Sequence, residues 1–393
     1  MLTAVPRPNG ATPIRALRCA ALVLATSFSV CAAGAQERAS CDSLCEAAEA
    51  LIERFELRQA AEPVRARAGW RPPAKIVVAD TLLADTLRGV LPGVEVVGVS
   101  GLRNFAGISA VVEGADVLIG LCTPEIVARG TSLRWIQLLN AGADSCATVP
   151  AVAERNILVT NLQRIQGPHM AEHAIALILS LARSLHVYAA EQQAGAFTRG
   201  FRETRAERPI EIEGKTLLVV GLGGIGTEVA KRAHALGMRV IATRNSRREG
   251  PDYVEYVGLA DEYRSLAPQA DVVVNATPLT PQTRGMFDAE FFDAMKDTSY
   301  FINIGRGESV VTSALAAALE AGELGGAGLD VTDPEPLPQG HPLWSMPNVI
   351  ITPHIATSSD FRSDRTVTLV VENVRRYVRG ERMLAVVDLA AGY

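Results

Sequence analysis

The chain has 393 residues, of which 48% are hydrophobic and 21% are charged, so it can bury a full core and is long enough for two domains. Its formal net charge is −5, and it contains no long run of like charge. This balance provides no electrostatic surface for nucleic acid or for an anionic membrane, and we expect neither as a partner.

The first 35 residues have the layout of a secretory signal peptide. Arginines precede an apolar run from Cys19 to about Ala33, and Ala33-Gly34-Ala35 supplies the small residues of a cleavage site. The run of roughly 15 residues is shorter than the ~20 needed to span a bilayer, which disfavours a stable membrane anchor. We predict a signal peptide at 1–35 and a periplasmic or secreted protein. A disordered extension on a cytoplasmic protein is the alternative.

The next segment, 36–73, is rich in Ala, Glu and Leu up to about Ala68, which predicts a helical extension. Cys41 and Cys45 lie within it. In an oxidising compartment these two cysteines could pair, but their spacing also places two small apolar side chains on one helix face. Both interpretations remain open at this point.

The following stretch alternates β-branched runs with helical patterns, which predicts a parallel sheet with helices on its faces. Its strands are Lys75–Ala79, Val94–Val99, Ala115–Gly120 and Arg134–Leu139. The segment from Met170 to about Ala190 is apolar on most faces. We predict that it forms one long buried helix joining two domains.

A second alternating series predicts a doubly wound sheet of six short apolar strands. They are Thr216–Val220, Arg239–Thr243, Asp271–Asn275, Ser299–Ile304, Gly326–Val331 and Val349–Thr352. A last helix, from about Phe361 to Arg379, is expected to return to the first domain.

A glycine-rich loop joins the first strand of this series to an amphipathic helix. Its residues are Gly221, Leu222, Gly223, Gly224, Ile225 and Gly226. In this context the Gly-x-Gly-x-x-Gly spacing is a dinucleotide-binding fingerprint. Gly221 permits the tight turn, Gly223 lets the backbone approach a pyrophosphate, and Gly226 lets helix and strand pack closely. We therefore predict that this loop binds a nicotinamide dinucleotide.

The end of the second strand of the series indicates which dinucleotide. In this fold an acidic residue there usually binds the ribose 2′-hydroxyl. Here the sequence reads Thr243-Arg244-Asn245, with no carboxylate. The guanidinium of Arg244 suits a 2′-phosphate better than a hydroxyl, so NADP is preferred and NAD is possible. A solvated arginine cluster is the alternative.

Several separated motifs resemble the D-isomer-specific 2-hydroxyacid dehydrogenases, a family that includes glyoxylate and hydroxypyruvate reductases. Besides the glycine-rich loop, they are Asn275–Thr280, Asn303–Gly307, Leu329–Val331 with Glu335-Pro336, and Pro353–Ala356. The resemblance covers roughly Lys75 to the C-terminus. It implies an α/β fold of two doubly wound domains with the active site in the cleft between them. The Rossmann dinucleotide-binding domain would span 185–354, and a discontinuous flavodoxin-like substrate domain would comprise 74–184 and 355–393.

The same resemblance implies three catalytic residues. Arg306 would bind the substrate carboxylate, His354 would be the general acid/base, and Glu335 would pair with the histidine. The chemistry asks for these residue types, because hydride addition to a 2-keto acid leaves an oxygen that needs a proton from a group titrating near neutrality. A planar guanidinium can bind the carboxylate through two parallel hydrogen bonds. We predict an NAD(P)-dependent dehydrogenase of small 2-keto or 2-hydroxy acids.

Further residues match the family's pattern less specifically. Asn140-Ala141-Gly142-Ala143-Asp144 resembles a loop whose N–H groups face the substrate carboxylate, with Ala141 and Gly142 as the substrate-binding residues. Thr277 and Pro278 match positions close to the cofactor, and Asp330 matches the acid near the nicotinamide amide. Each could instead be ordinary turn chemistry. We expect a homodimer, and no metal site.

Two non-catalytic functions stay open because a fold does not settle a function. The protein could be a nicotinamide-cofactor sensor or a cleft-type binding protein. The joint presence of Arg306, Glu335 and His354 favours catalysis. Glyoxylate, hydroxypyruvate, pyruvate and bulkier keto acids share the carboxylate and carbonyl that these residues would bind, so the sequence does not select among them.

Overall fold

The structure is a computed structural model that describes residues 45–197, 208–245, 247–360 and 362–391. The signal peptide predicted at 1–35, and Cys41 with it, lie outside the described residues. Residues 45–55 form the first helix, α1. The predicted helical extension to Ala68 is wrong beyond this point, because Glu56 adopts a left-handed conformation (φ 47°) that ends the helix.

The first sheet is parallel and has five strands. They are β1 (Lys75–Val78), β2 (Glu95–Gly98), β3 (Val117–Gly120), β4 (Trp135–Leu138) and β5 (Leu158–Thr160). Their order, β2-β1-β3-β4-β5, is the flavodoxin-like order. The four predicted strands are present, and β5 was not predicted. The helices are α2 (Thr81–Val90), α3 (Phe105–Val111), α4 (Pro124–Arg129), α5 (Asp144–Ala147) and α6 (Pro150–Glu154).

Two helices, α7 (Gly167–Ala182) and α8 (Leu185–Gln193), connect the sheets. The prediction of one buried helix from Met170 to about Ala190 is wrong in its second half. The axis bends by 72° between α7 and α8, where Ser184 adopts a left-handed conformation (φ 54°). The apolar residues of α7 pack in the core of the second sheet, whereas α8 buries no residue.

In the part of the chain that the structure describes, no single helix is long and apolar enough to cross a membrane. The bent pair α7 and α8 reaches that length and hydropathy only when the two are taken together.

The second sheet is parallel and has seven strands. They are β6 (Thr216–Val220), β7 (Arg239–Arg244), β8 (Tyr256–Leu259), β9 (Val272–Asn275), β10 (Tyr300–Asn303), β11 (Gly326–Leu329) and β12 (Val349–Ile351). Their order is β12-β11-β10-β9-β6-β7-β8, a Rossmann sheet with one additional strand. The six predicted strands are present, and β8 was missed. The helices of this domain are α9 (Gly224–Ala235), α10 (Tyr263–Leu266), α11 (Ala289–Ala294) and α12 (Thr312–Ala321).

The last helix, α13 (Arg362–Arg379), packs on the first sheet. The Tyr377 ring stacks on Trp135 with 4.9 Å between centroids, and both side chains are buried. Leu51 and Phe55 of α1 belong to the same core. The predicted fold class, α/β with two doubly wound sheets, is confirmed.

Candidate active site

Three neighbouring strands of the second sheet bring the predicted catalytic residues to one edge. β10, β11 and β12 are parallel and adjacent, so their carboxyl ends lie side by side. Arg306 follows β10, Glu335 lies in the loop after β11, and His354 follows β12. In open α/β sheets, this edge is where ligands bind.

His354 and Glu335 form a hydrogen-bonded pair. The imidazole Nδ1 lies 2.7 Å from Glu335 Oε1. The side chains are 34% and 40% exposed, so the pair is reachable by a small molecule. Since the bond uses Nδ1, the ring's Nε2 is the nitrogen that can exchange a proton with a substrate. The structure thus brings together two of the three predicted catalytic residues.

The turn that carries His354 is fixed by the buried carboxylate of Asp330. His354 has a left-handed backbone (φ 52°), and its N–H donates to the Asp330 carbonyl oxygen at 2.8 Å. Asp330 Oδ1 accepts hydrogen bonds from Thr352 Oγ1 (2.7 Å) and Ile355 N (2.9 Å), and Oδ2 accepts one from Ala356 N (3.0 Å). A residue other than glycine holds a left-handed backbone only where its surroundings impose it. The predicted contact of Asp330 with the nicotinamide amide stays a prediction.

A histidine of α7 supports the same turn. His173 Nε2 lies 2.9 Å from Thr352 Oγ1 and 3.5 Å from Asp330 Oδ1. The support of the His354 turn therefore includes a side chain that comes from outside the second sheet.

Arg306 reaches across to the first domain. Its Nε and Nη2 donate to Asp144 Oδ1 at 3.2 and 2.8 Å, and its Nη1 donates to the Gly305 carbonyl oxygen at 2.8 Å. The guanidinium lies directly against Gly142, where an added Cβ would overlap Nη2 and lie 2.7 Å from Asp144 Oδ1. The structure therefore brings Arg306 together with Gly142, which the sequence predicted separately. It adds the side chain of Asp144, a residue of the predicted loop for which no side-chain role was predicted.

A buried amide network positions the loop of Arg306. Asn303 Oδ1 accepts hydrogen bonds from Asn275 Nδ2 (2.9 Å) and Gly305 N (3.1 Å). The Arg306 carbonyl oxygen accepts hydrogen bonds from Asn303 Nδ2 (3.0 Å) and Ser309 Oγ (2.6 Å). Sequence reasoning missed these roles. The available signal was that Asn275 ends one predicted apolar strand and Asn303 is the next-to-last residue of another.

The loop of Ala141 and Gly142 is anchored on both sides. The Ala141 carbonyl oxygen accepts a hydrogen bond from Asn161 Nδ2 at 2.6 Å. On the other side, a disulfide joins Cys146 of α5 to Cys122, which follows β3, with 5.1 Å between the Cα atoms. Both cysteines are buried. This pairing was not predicted.

The glycine-rich loop has the shape that a dinucleotide requires. Gly221 has φ 98°, and a Cβ there would lie 2.9 Å from the Ala276 carbonyl oxygen. A Cβ on Gly226 would overlap the Gly221 carbonyl oxygen, whereas one on Gly223 would meet no atom within 4 Å. A side chain therefore has no room at Gly221 and Gly226, where helix and strand pack. The backbone at Gly223 is accessible at the N-terminus of α9, where a pyrophosphate would lie. These residues fit the predicted cofactor.

Two other predicted cofactor residues lie within this loop, and two follow the neighbouring strand β9. Leu222 is buried and its N–H donates to the Thr243 carbonyl oxygen at 2.8 Å, while Ile225 packs against the core. Thr277 donates from N and Oγ1 to Asn275 Oδ1, at 3.0 and 2.7 Å. The carbonyl oxygen of Pro278, the next residue, accepts a hydrogen bond from a threonine hydroxyl at 2.7 Å.

Arg244 ends β7 in a positively charged environment. Its Nη1 donates to the Glu249 carbonyl oxygen at 2.7 Å. Burial lowers the pKa of Arg244, and the positive charges of Arg247, Arg164 and Arg58 lower it further. A nearby anion would therefore stabilise the charged form of Arg244.

Within the described ranges, no group of three or more His, Cys, Asp or Glu side chains is arranged to hold a metal ion.

Comparison with known proteins identifies the family. Residues 175–356 match the family model described as the NAD-binding domain of the D-isomer specific 2-hydroxyacid dehydrogenases. Human glyoxylate reductase/hydroxypyruvate reductase is 32% identical over 282 residues, 69% of this chain and 84% of the human protein. The glyoxylate reductase of Korarchaeum cryptofilum is 33% identical over 282 residues, 69% of this chain and 82% of that protein.

Solved structures show the same architecture. A D-isomer specific 2-hydroxyacid dehydrogenase from Xanthobacter autotrophicus, in complex with NADPH and MES, is 28% identical with a TM-score of 0.69, covering 82% of this chain and 100% of that one. The NADPH-dependent glyoxylate/hydroxypyruvate reductase of Sinorhizobium meliloti, in complex with NADP and sulfate, is 28% identical with a TM-score of 0.68, covering 81% and 100%.

The two parallel sheets, the dinucleotide loop and the His–Glu pair define a two-domain nicotinamide-dependent oxidoreductase. The chain belongs to the D-isomer-specific 2-hydroxyacid dehydrogenase family. The predicted family, fold class and enzyme class are confirmed, and a non-catalytic sensor or binding protein is not favoured.

Proposed function

We propose that this protein reduces small 2-keto acids, with glyoxylate and hydroxypyruvate as the first candidates, and uses NADPH in preference to NADH. The observation that carries the proposal is the 2.7 Å pair of His354 and Glu335 on the sheet edge that also carries Arg306. The names of the human and archaeal relatives support the choice of substrates.

His354 is the proton donor in this proposal. When bound, NADPH supplies a hydride to the carbonyl carbon of the keto acid. The Nε2–H of His354 gives its proton to the carbonyl oxygen, and in the reverse direction neutral His354 removes the hydroxyl proton. Glu335 holds the ring through Nδ1, which leaves Nε2 for the substrate.

Arg306 binds and orients the substrate carboxylate, together with the backbone N–H groups of Ala141 and Gly142. Asp144 already engages Nε and Nη2 of the guanidinium, so the plane of the fork is set before a substrate arrives. Pre-set orientation of this kind lowers the entropic cost of reaching a reactive geometry.

The cofactor is bound by the glycine-rich loop and by Arg244. The open backbone at Gly223 and the N-terminus of α9 accommodate the pyrophosphate. Arg244 binds the 2′-phosphate, which distinguishes NADPH from NADH. Thr277, Pro278 and Asp330 lie near the nicotinamide end.

A panel of 2-keto acids assayed with NADPH and with NADH tests this function. We expect turnover of glyoxylate or hydroxypyruvate, with kcat/KM at least about tenfold higher for NADPH, as one additional charge-assisted contact predicts. Absence of turnover with every acid and both cofactors would contradict the enzyme. Higher efficiency with NADH would contradict the cofactor preference alone.

We also propose a homodimer in which α8 contributes to the interface. This helix buries no residue within the chain, and Leu185 is 52% exposed. Light scattering after size-exclusion chromatography should give twice the mass of one chain. Leu185→Glu should shift the protein toward monomer, whereas Leu82→Glu, at an exposed position in α2, should not. A monomeric wild type contradicts the proposal.

Export to the periplasm or medium is the last part of the proposal. The buried Cys122–Cys146 disulfide supports it, because disulfides persist mainly in oxidising compartments. N-terminal sequencing of the native protein should show a mature chain that begins at Gln36. Recovery of a chain with Met1 from the cytosol would reject export and leave the enzymatic proposal intact.

A further inference from the structure

A side chain of α7 contacts the network that supports the turn of His354. His173 Nε2 lies 2.9 Å from the hydroxyl of Thr352, and that hydroxyl donates to Asp330 Oδ1 at 2.7 Å. A hydroxyl has one hydrogen, which Thr352 gives to the carboxylate. Toward His173 the Thr352 oxygen can therefore only accept, so Nε2 of the His173 ring carries a hydrogen and donates it.

His173 reaches this network because α7 packs closely on β11. A Cβ added to Gly328 of β11 would lie 3.0 Å from Leu177 Cβ, so a glycine at this position lets the helix approach the strand. Leu177 and His173 are one turn apart on the same face of α7. Asp330, two residues after Gly328, faces the same side of the sheet. The helix therefore brings the His173 ring to within 3.5 Å of Asp330 Oδ1.

The hydrogen bond from His173 acts on His354 through the carboxylate of Asp330. This carboxylate belongs to a side chain that is 2% exposed, and it accepts hydrogen bonds from two backbone N–H groups that follow His354, at 2.9 and 3.0 Å. The left-handed turn of His354, and with it the direction of the imidazole, depends on where this carboxylate lies. By donating to the Thr352 oxygen, His173 fixes that hydroxyl in the orientation that donates to Asp330.

We propose that His173 is a positioning residue for proton transfer, and that through Thr352 and Asp330 it holds the turn that directs His354 Nε2 to the substrate. This inference rests on the proposed function, in which His354 gives its proton to the carbonyl oxygen. His173 itself exchanges no proton with the substrate. Since α7 connects the two sheets, the geometry of proton transfer also depends on how this helix is seated.

Steady-state kinetics with a keto acid and saturating NADPH test the inference on the full chain. His173→Ala should lower kcat by about 10- to 100-fold, since a small displacement of a reacting group has an effect of this size. KM for the keto acid should stay within about twofold of wild type, because Arg306 binds the carboxylate and a separate network holds its loop.

Two amide variants separate the hydrogen bond from the bulk of the ring. His173→Gln places an amide N–H near the position of Nε2 and should recover most of the lost kcat. His173→Asn is equally polar, but its amide stops short of the Thr352 hydroxyl, so it should lose as much as the alanine variant. This pair tests the inference even if the alanine variant does not fold.

Thr352→Val removes the shared hydroxyl and keeps the shape of the side chain. It should lower kcat to an extent similar to His173→Ala. Because His173 acts through this hydroxyl, a double variant that combines the two changes should be no slower than the slower single variant.

His234→Ala is the matched control. This histidine is exposed near the C-terminal end of α9, and its ring stacks on Tyr253 with 5.7 Å between centroids. Its kcat should stay within about twofold of wild type, as is usual for surface substitutions.

Three outcomes overturn the inference while leaving the proposed function in place. The first is a folded His173→Ala variant with a kcat within about twofold of wild type. The second is a His173→Gln variant as slow as His173→Asn, and the third is an additive loss in the double variant. A wild type that turns over no keto acid would instead reject the proposed function, and the inference with it.

Discussion

Replacing Gly142 by alanine should weaken substrate binding by displacing Arg306. The new methyl would overlap Arg306 Nη2 and lie 2.7 Å from Asp144 Oδ1, so the guanidinium must leave its position. Gly142 does not adopt a left-handed conformation, and alanine is compatible with its backbone. Crowding of the arginine is therefore the physical cause, rather than backbone strain.

The size of the effect follows from the charge-assisted hydrogen bond to the substrate carboxylate that the displaced guanidinium of Arg306 no longer makes. Hydrogen bonds to charged groups contribute ~1.5–3 kcal/mol each. The Arg306 side chain is 21% exposed, so water screens its interaction with the substrate and the lower value applies. A loss of about 1.5 kcal/mol corresponds to roughly a tenfold lower kcat/KM for the keto acid.

Steady-state kinetics with saturating NADPH measure this change, and the dissociation constant for NADPH serves as an internal reference. Gly89→Ala is the control, because a methyl there lies in α2 and meets no atom within 4 Å. It should behave as wild type. A folded Gly142→Ala variant with unchanged kcat/KM for every keto acid would refute the role of the guanidinium at this loop.

Three further predictions concern proton transfer, a buried carboxylate and the disulfide. His354→Ala should lower kcat by ~10²–10⁴-fold with little change in the NADPH dissociation constant, and near-normal turnover would contradict its role. Burial alone would raise the pKa of Asp116, but hydrogen bonds from backbone N–H groups and Arg71 outweigh it and leave the pKa below the usual 3.8. Asp116→Asn should therefore be less stable than wild type in urea at pH 7, with a difference that shrinks as the pH falls below about 4 and through the lowered pKa of the folded carboxylate; a constant difference would contradict this. Joint replacement of Cys122 and Cys146 by serine should lower the free energy of unfolding by roughly 3 kcal/mol, given a separation of 24 residues. Reduction of the wild-type disulfide without any loss of stability would contradict this.

The interior strands of both sheets could be predicted because each is a continuous apolar run ending in turn residues. The two strands that were missed lie at sheet edges. β5 has only three residues, and β8 begins with Tyr256, which is 40% exposed. β5 is fully buried but short, whereas β8 buries less surface, so its sequence carries a weaker apolar signal.

Two helix ends were not predictable from local residue types. α1 ends before Glu56 and α7 ends near Ser184, and both residues have left-handed backbones. Glycine or asparagine usually marks such a position. With neither present, the hydrophobic pattern suggested that each helix continued.

The catalytic residues could be named because each belongs to a motif at the end of a predicted strand. The residues of the other domain that contact them could not be named from the sequence. Arg306 and Asp144 are 162 residues apart in the sequence, and their contact depends on how two separately folded sheets face each other. Local periodicity carries no information about that arrangement.

The disulfide connects this cross-domain contact to the redox state of the protein. Asp144 and Cys146 both lie in α5, and Cys146 is joined to Cys122 at the end of β3. A dithiol reductant would convert the disulfide to two thiols and itself become a disulfide, freeing α5 from this tether. Because Asp144 orients Arg306, reduction should raise KM for the keto acid. The glycine-rich loop lies in the second domain, so the affinity for NADPH should not change. Equal effects of reduction on both ligands would show that the disulfide stabilises the whole fold and does not act through Asp144.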